Sequence, residues 1–195
     1  LVAARNLGKI GDNRAIEALI ESLHHELDDE VRTAAAKALG GMSGDRVIAS
    51  LTLAMRDRDE RVRITAARSL GSIDDKRAIE PLIRGLIDLD GRVRYATLEA
   101  LRDSEGIAKD HLVDTLRSED VELRTGAAEA LEMTGWTPQT GEESALYLIA
   151  LDRWAEVERV GEDALPVLTE ALSDPSIEIR TNAIRITSRI GGEKA

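Results

Sequence analysis

The sequence predicts an all-α protein, a solenoid of helical hairpins with about thirteen helices, and three observations carry the prediction. Apolar residues recur at helical spacing in segment after segment. A pattern of the form Val-Arg-x-x-Ala-Ala-x-x-Leu-Gly returns so regularly that Arg32, Arg63, Arg94 and Arg124 stand 31, 31 and 30 residues apart. Glycine or a short side-chain acceptor falls between the apolar stripes, where one helix must stop and the next must start. A period near thirty residues is that of a helix-turn-helix array, which buries its apolar faces only by stacking copies.

The elements follow in order. Ala3-Ala4, Leu7-Gly8 and Ile10 form an opening helix, and Ile16, Leu19, Ile20 and Leu23 mark its partner. The next copy has Val31-Arg32, Ala35-Ala36 and Leu39-Gly40, then Ile48, Leu51 and Met55. The clearest copy runs from Val62 to Leu86. Its first helix carries Val62, Ala66, Ala67 and Leu70, its second Ile79, Leu82, Ile83 and Leu86. Gly71 is expected to end the first helix as a residue tolerant of positive φ, and the Asp74-Asp75 pair to start the second. Val93-Arg94, Leu98 and Leu101 begin a fourth copy, completed by Leu112, Val113 and Leu116. Leu123-Arg124, Ala127-Ala128 and Leu131 begin a fifth.

The repeat then breaks, because the next matching Arg, Arg180, lies 56 residues beyond Arg124. An irregular hairpin is expected at 135–161, entered through the one long connection, Gly135 to Gly141. A normal second helix with Leu165, Leu168 and Leu172 follows, then a closing helix that ends at Gly191-Gly192. The domain expectation is a single array over 1–195, a piece of a longer one, since the chain opens at Leu1 in mid-repeat.

Asp28, Asp59, Asp90 and Asp120 each stand four residues before a repeat Arg, and Ser176 does so before Arg180. Such an acceptor caps a helix N-terminus, and the Arg one turn later reaches an acidic or carbonyl group of an adjacent repeat. Ala66 and Ala67 are expected at a close helix contact.

Composition narrows the function. Apolar residues make up 43% of the chain and aromatics only 2%, with no Phe, so the core must be built from Ala, Leu, Ile and Val. The formal charge of -11 argues against nucleic acid as a partner, because phosphate binding needs clustered Lys and Arg. With no Cys there is no thiolate metal site and no thiol nucleophile. No stretch reaches the ~20 apolar residues of a membrane span, and a cytoplasmic protein is the expectation.

These repeats, with the Asp before each Arg and the Asp-x-Arg-Ala-Ile-x-x-Leu-Ile-x-x-Leu that follows, resemble the HEAT-like repeat family, in particular its short phycobilisome lyase type. The resemblance covers almost the whole chain. It implies a right-handed α-α superhelix with the second helices on the concave face. It leaves function open, because similar arrays include lyases, hydroxylases, DNA repair proteins and adaptors. Similar hydroxylase repeats carry His-Glu pairs after Val-Arg, where this chain has Thr33-Ala34, Ile64-Thr65, Tyr95-Ala96 and Thr125-Gly126. No cofactor or metal is therefore expected, and His24, His25 and His111 are read as surface residues. A similar glycosylase groove must be basic, which this chain is not.

What remains is a non-catalytic scaffold, not an enzyme, that binds another protein on the concave face. The outward positions of the second helices vary while the frame repeats: Glu17 and Glu21, Ala49 and Leu53, Glu80 and Arg84, Asp110 and Asp114. Their acidic members favour a basic partner segment. Trp136, Tyr147 and Trp154, three of the four aromatics, form a second candidate patch, with gap-filling in the irregular hairpin as the competing reading. The alternative function is a bilin (tetrapyrrole) lyase or chromophore chaperone holding its ligand among those aromatics.

Overall fold

The computed structural model describes residues 13–192, so the expected opening helix with Ala3, Ala4 and Leu7 lies outside the described residues. Within them the chain is all-helical, with no strand, and forms two compact units, one running to His111 and the other from Leu112. The first unit contains α1 (Asn13–His25), α2 (Asp29–Leu39), α3 (Asp45–Ala54), α4 (Glu60–Gly71), α5 (Ile79–Gly85) and α6 (Gly91–Asp103). The division falls within α7 (Glu105–Thr115). The second unit contains α8 (Val121–Met133), α9 (Gly141–Ala150), α10 (Trp154–Val160), α11 (Leu165–Ala171) and α12 (Ile177–Gly192).

The first helices begin where the acceptors predict. Asp28, Asp59, Asp90 and Asp120 are N-caps, accepting from the backbone N–H groups of Glu30, Arg61, Arg92 and Glu122 at 2.8, 2.9, 2.8 and 2.9 Å. Each cap contributes about 1 kcal/mol. Asp75 likewise accepts from the Arg77 N–H and starts the short 3-10 turn that leads into α5.

In the first unit the first helices stack on one another, with α4 packed against both α2 and α6. Val62, Ala66, Ala67 and Leu70 are completely buried there, which places the two alanines in the tight contact expected of them. The second helices cover this row through Leu19, Leu23, Leu51, Ile79 and Leu82, all at most 1% exposed. Burying a side chain of that size contributes roughly 1.5–3 kcal/mol.

The reason for the repeat glycine differs from the expected one. Gly71 is the last residue of α4 and is absent from the positive-φ positions, which among the described residues are Gly44, Gly135, Gly161 and Asp152; Gly40 has φ −61°. What demands glycine is the neighbouring helix. A Cβ on Gly71 would stand 2.5 Å from the Ala100 Cβ, and one on Gly40 would stand 2.5 Å from the Ser69 Oγ. The same approach brings hydroxyls onto carbonyls near the ends of the preceding first helices. Ser69 donates to Ala36 O at 2.9 Å, Ser72 to Gly40 O at 3.0 Å and Ser104 to Gly71 O at 3.2 Å.

In the second unit the irregular stretch is bracketed by two left-handed residues, Asp152 (φ 58°) and Gly161 (φ 72°). Between them α10 is short, and Trp154 and Val157 join Ala145, Leu168 and Ala183 in the core of this unit.

Candidate functional site

The repeat arginines are consumed by the frame. Arg32 donates from Nε and Nη2 to both carboxylate oxygens of Asp57, at 2.8 and 2.9 Å, and from Nη1 to the Glu26 and Leu27 carbonyls. Arg63 repeats the arrangement on Asp88, at 2.8 and 3.1 Å, and its Nη1 reaches the Asp57 carbonyl. Asp57 therefore serves two arginines, one through its side chain and the next through its main chain. Its Oδ1 also accepts the Asp59 N–H and so orients the following N-cap. Arg124 pairs with Asp174 at 2.6 Å, and Arg180 donates to the Asp174 carbonyl. Arg94 departs from the rule. It is exposed and, among the described residues, its side chain bonds only to the Asp88 and Leu89 carbonyls, and Ser118 takes the chain position at which Asp57, Asp88 and Asp174 stand in other copies.

These aspartates were missed by the sequence reading, although the signal was present. Asp57-x-Asp59, Asp88-x-Asp90 and Asp174-x-Ser176 place the carboxylate two residues before each cap, and Ser118-x-Asp120 is the exception. Burial pushes the Asp57 carboxyl up, but the Arg32 hydrogen bonds and the Asp59 N–H outweigh it and leave the group below its ordinary value.

The outward residues of the second helices sit at the surface. Glu17, Glu21, Leu53, Glu80, Arg84, Asp110 and Asp114 are all exposed, Leu53 by 56%. Glu17 forms an ion pair with Arg46, and Glu80 forms an i,i+4 pair with Arg84 at 2.9 Å. Glu21 has no ionic partner among the described residues. The aromatics behave differently. Trp136 and Tyr147 meet edge to face at 5.6 Å between ring centroids, yet Tyr147 and Trp154 are only 8% and 7% exposed. Trp154 turns its Nε1–H onto the Asp152 carboxylate. Trp136 is half-buried.

Each unit carries a groove along its second helices. In the first, a cavity of about 320 Å³ lies between α3 and α5, lined by Met55, Arg56, Pro81, Arg84 and Gly85. In the second, one of about 330 Å³ lies among the turn after α7, α9 and α11, with Arg117, Ala171 and Asp174 at the positions of Arg56, Gly85 and Asp88 in the repeat. Among the described residues no three His, Asp or Glu side chains converge as a metal site requires. No helix is long and apolar enough to cross a membrane, again among the described residues.

The family described as HEAT repeats matches over residues 1–40, 23–102 and 48–132. No curated protein matches the chain. Among solved structures, the complex of CpcE and CpcF of phycocyanin lyase from Nostoc sp. PCC7120 is 21% identical, covering 85% of each chain at a TM-score of 0.41. YibA of Escherichia coli is 20% identical over 95% of this chain and 85% of its own, at 0.47. A designed armadillo repeat protein in complex with the peptide (KR)4 is 17% identical over 96% and 90%, at 0.40.

Proposed function

The chain belongs to the HEAT repeats family, and on that premise we propose that it is a non-catalytic scaffold that binds another protein through the face made by its second helices. One observation carries the reading. The recurring residues, from the Asp caps and the Arg–Asp pairs to the glycine contacts, are spent on stacking, whereas the exposed second-helix positions change from copy to copy. A fixed frame with a variable face is how a solenoid acquires a specific partner. The surplus of acid on that face, Glu21, Asp110 and Asp114 in particular, supports a basic segment in the partner. The tetrapyrrole alternative is the weaker reading, because burial of Tyr147 and Trp154 leaves no open aromatic wall for a chromophore.

The test is capture of a partner from cell extract by wild type and by the Glu17→Lys, Glu21→Lys double variant, with bound proteins identified by mass spectrometry. Reversal should weaken capture, and so should added salt, because exposed charges are screened over about 10 Å at 0.1 M. The fold should survive. Only the Glu17–Arg46 pair is lost, and an exposed pair is worth about 1 kcal/mol at most. Equal capture by both proteins at low salt would remove the acidic second-helix face of the first unit from the binding surface.

A further inference from the structure

We propose that the groove of the second unit is a docking site for a peptide segment carrying an Arg beside an aliphatic residue, and that the protein's own Arg117 occupies the cation position until that segment arrives. The inference rests on the reading that second helices face a partner and assigns the chemistry recognised at one place on them.

The floor of the groove is apolar, built from Leu116, Leu146, Ile149, Val167 and Ala171, and its volume of about 330 Å³ falls within the range of sites that hold a small ligand or a side chain. The rim is acidic. Arg117 reaches Glu142 on α9 with Nη2 and Glu170 on α11 with Nη1, the latter at 3.5 Å, so one guanidinium spans two carboxylates. Glu119 adds a third carboxylate that has no ionic partner among the described residues. Arg124 and Asp174 neutralise each other at the base. Three acids around one base leave the mouth short of positive charge, directly above an apolar surface. That combination selects an aliphatic side chain flanked by a cation and repels phosphate.

Arg117 is suited to yield its place. Its side chain is 46% exposed, and those of Glu142 and Glu170 are 49% and 68% exposed, so neither pair is held by desolvation. Nor does the fold need an Arg at this repeat position to be paired. The equivalent Arg56 of the first unit has no carboxylate partner among the described residues. An incoming guanidinium offers the same planar donors and can engage a carboxylate with two of them at once.

Fluorescence anisotropy with a fluorescein-labelled peptide of alternating Arg and Leu, against a Gln-Leu control of equal length, tests the proposal on the full chain. Wild type should bind the Arg-Leu peptide and not the control. Arg117→Ala should tighten binding about two- to fivefold, the change that corresponds to one exposed ion pair. Glu142→Gln with Glu170→Gln should weaken it at least as much, and Glu119→Gln, whose side chain holds nothing in the fold, should weaken it in the same direction. Arg159→Ala, an equal charge change on the exposed side of α10, is the control for bulk attraction to an acidic protein. Equal tightening by Arg117→Ala and Arg159→Ala would overturn the proposal, as would wild-type affinity in the double glutamine variant or no peptide binding at all. Failure here leaves the broader scaffold reading standing, because the Glu17 and Glu21 experiment probes the other unit.

Discussion

At the scale of single residues, the decisive unit is a nearly buried arginine and the aspartate 25 positions later. Arg32 is only 4% exposed, and its donors are divided between one carboxylate and two carbonyls. Asp57→Ala would strand that charge, and stranding a buried charge costs about 3–5 kcal/mol. Asp57→Asn, which keeps one acceptor oxygen, should cost less. The pH dependence has a definite sign. The folded carboxyl lies below its ordinary value of 3.8, so the stabilisation is complete above that pH and is lost as pH falls through the folded value. The gap in melting temperature between wild type and Asp57→Asn should therefore hold above pH 3.8 and narrow as pH falls below it. A gap that stayed constant below that pH would mean that Asp57 stabilises the protein without its charge.

At the scale of helices, the close approach at Gly71 sets how tightly α4 and α6 stack. Gly71→Ala would gain helix propensity, worth about 1 kcal/mol. It would also drive a Cβ to 2.8 Å from the Ala100 Cα, where backbone cannot yield as a side-chain tip would. Overpacking of that kind costs about 1–3 kcal/mol, so the net effect should be destabilising. Gly106→Ala, whose Cβ would meet nothing within 4 Å, is the matched control and should leave the urea midpoint equal or higher. Equal midpoints for both variants would refute the steric account. The sequence showed that a glycine follows Leu7, Leu39 and Leu70 but not why Gly40 and Gly71 are needed, since the reason sits 29 residues later on another helix. Cap chemistry needs only local spacing, and the four Asp caps were legible for that reason. The pairing of Arg32 with Asp57 was not, because periodicity reveals which residues recur and is silent about which of them touch.

At the scale of the molecule, the all-helical architecture and the helix positions among the described residues could be read from the 3.6-residue stripes and the thirty-residue repeat. The depth of the aromatics could not. Leu53 and Tyr147 both lie on second helices, yet one is 56% and the other 8% exposed, a difference decided by the irregular packing around α10. The Arg124–Asp174 clasp carries a consequence for how the chain reaches its folded state. Arg32 and Arg63 close loops of 25 residues, whereas Arg124 closes one of 50. Doubling a loop adds only about 0.6 kcal/mol of closure entropy, so the clasp loses little at equilibrium. Kinetically it must wait until α9, α10 and α11 have all found their places, and contacts of greater sequence separation form more slowly. Pulse-labelled hydrogen exchange during refolding should thus find the amides of α4 protected before those of α12. Simultaneous protection would show that the long closure does not order the search, while a lag confined to the second unit would mark it as the segment most exposed to misfolding during synthesis.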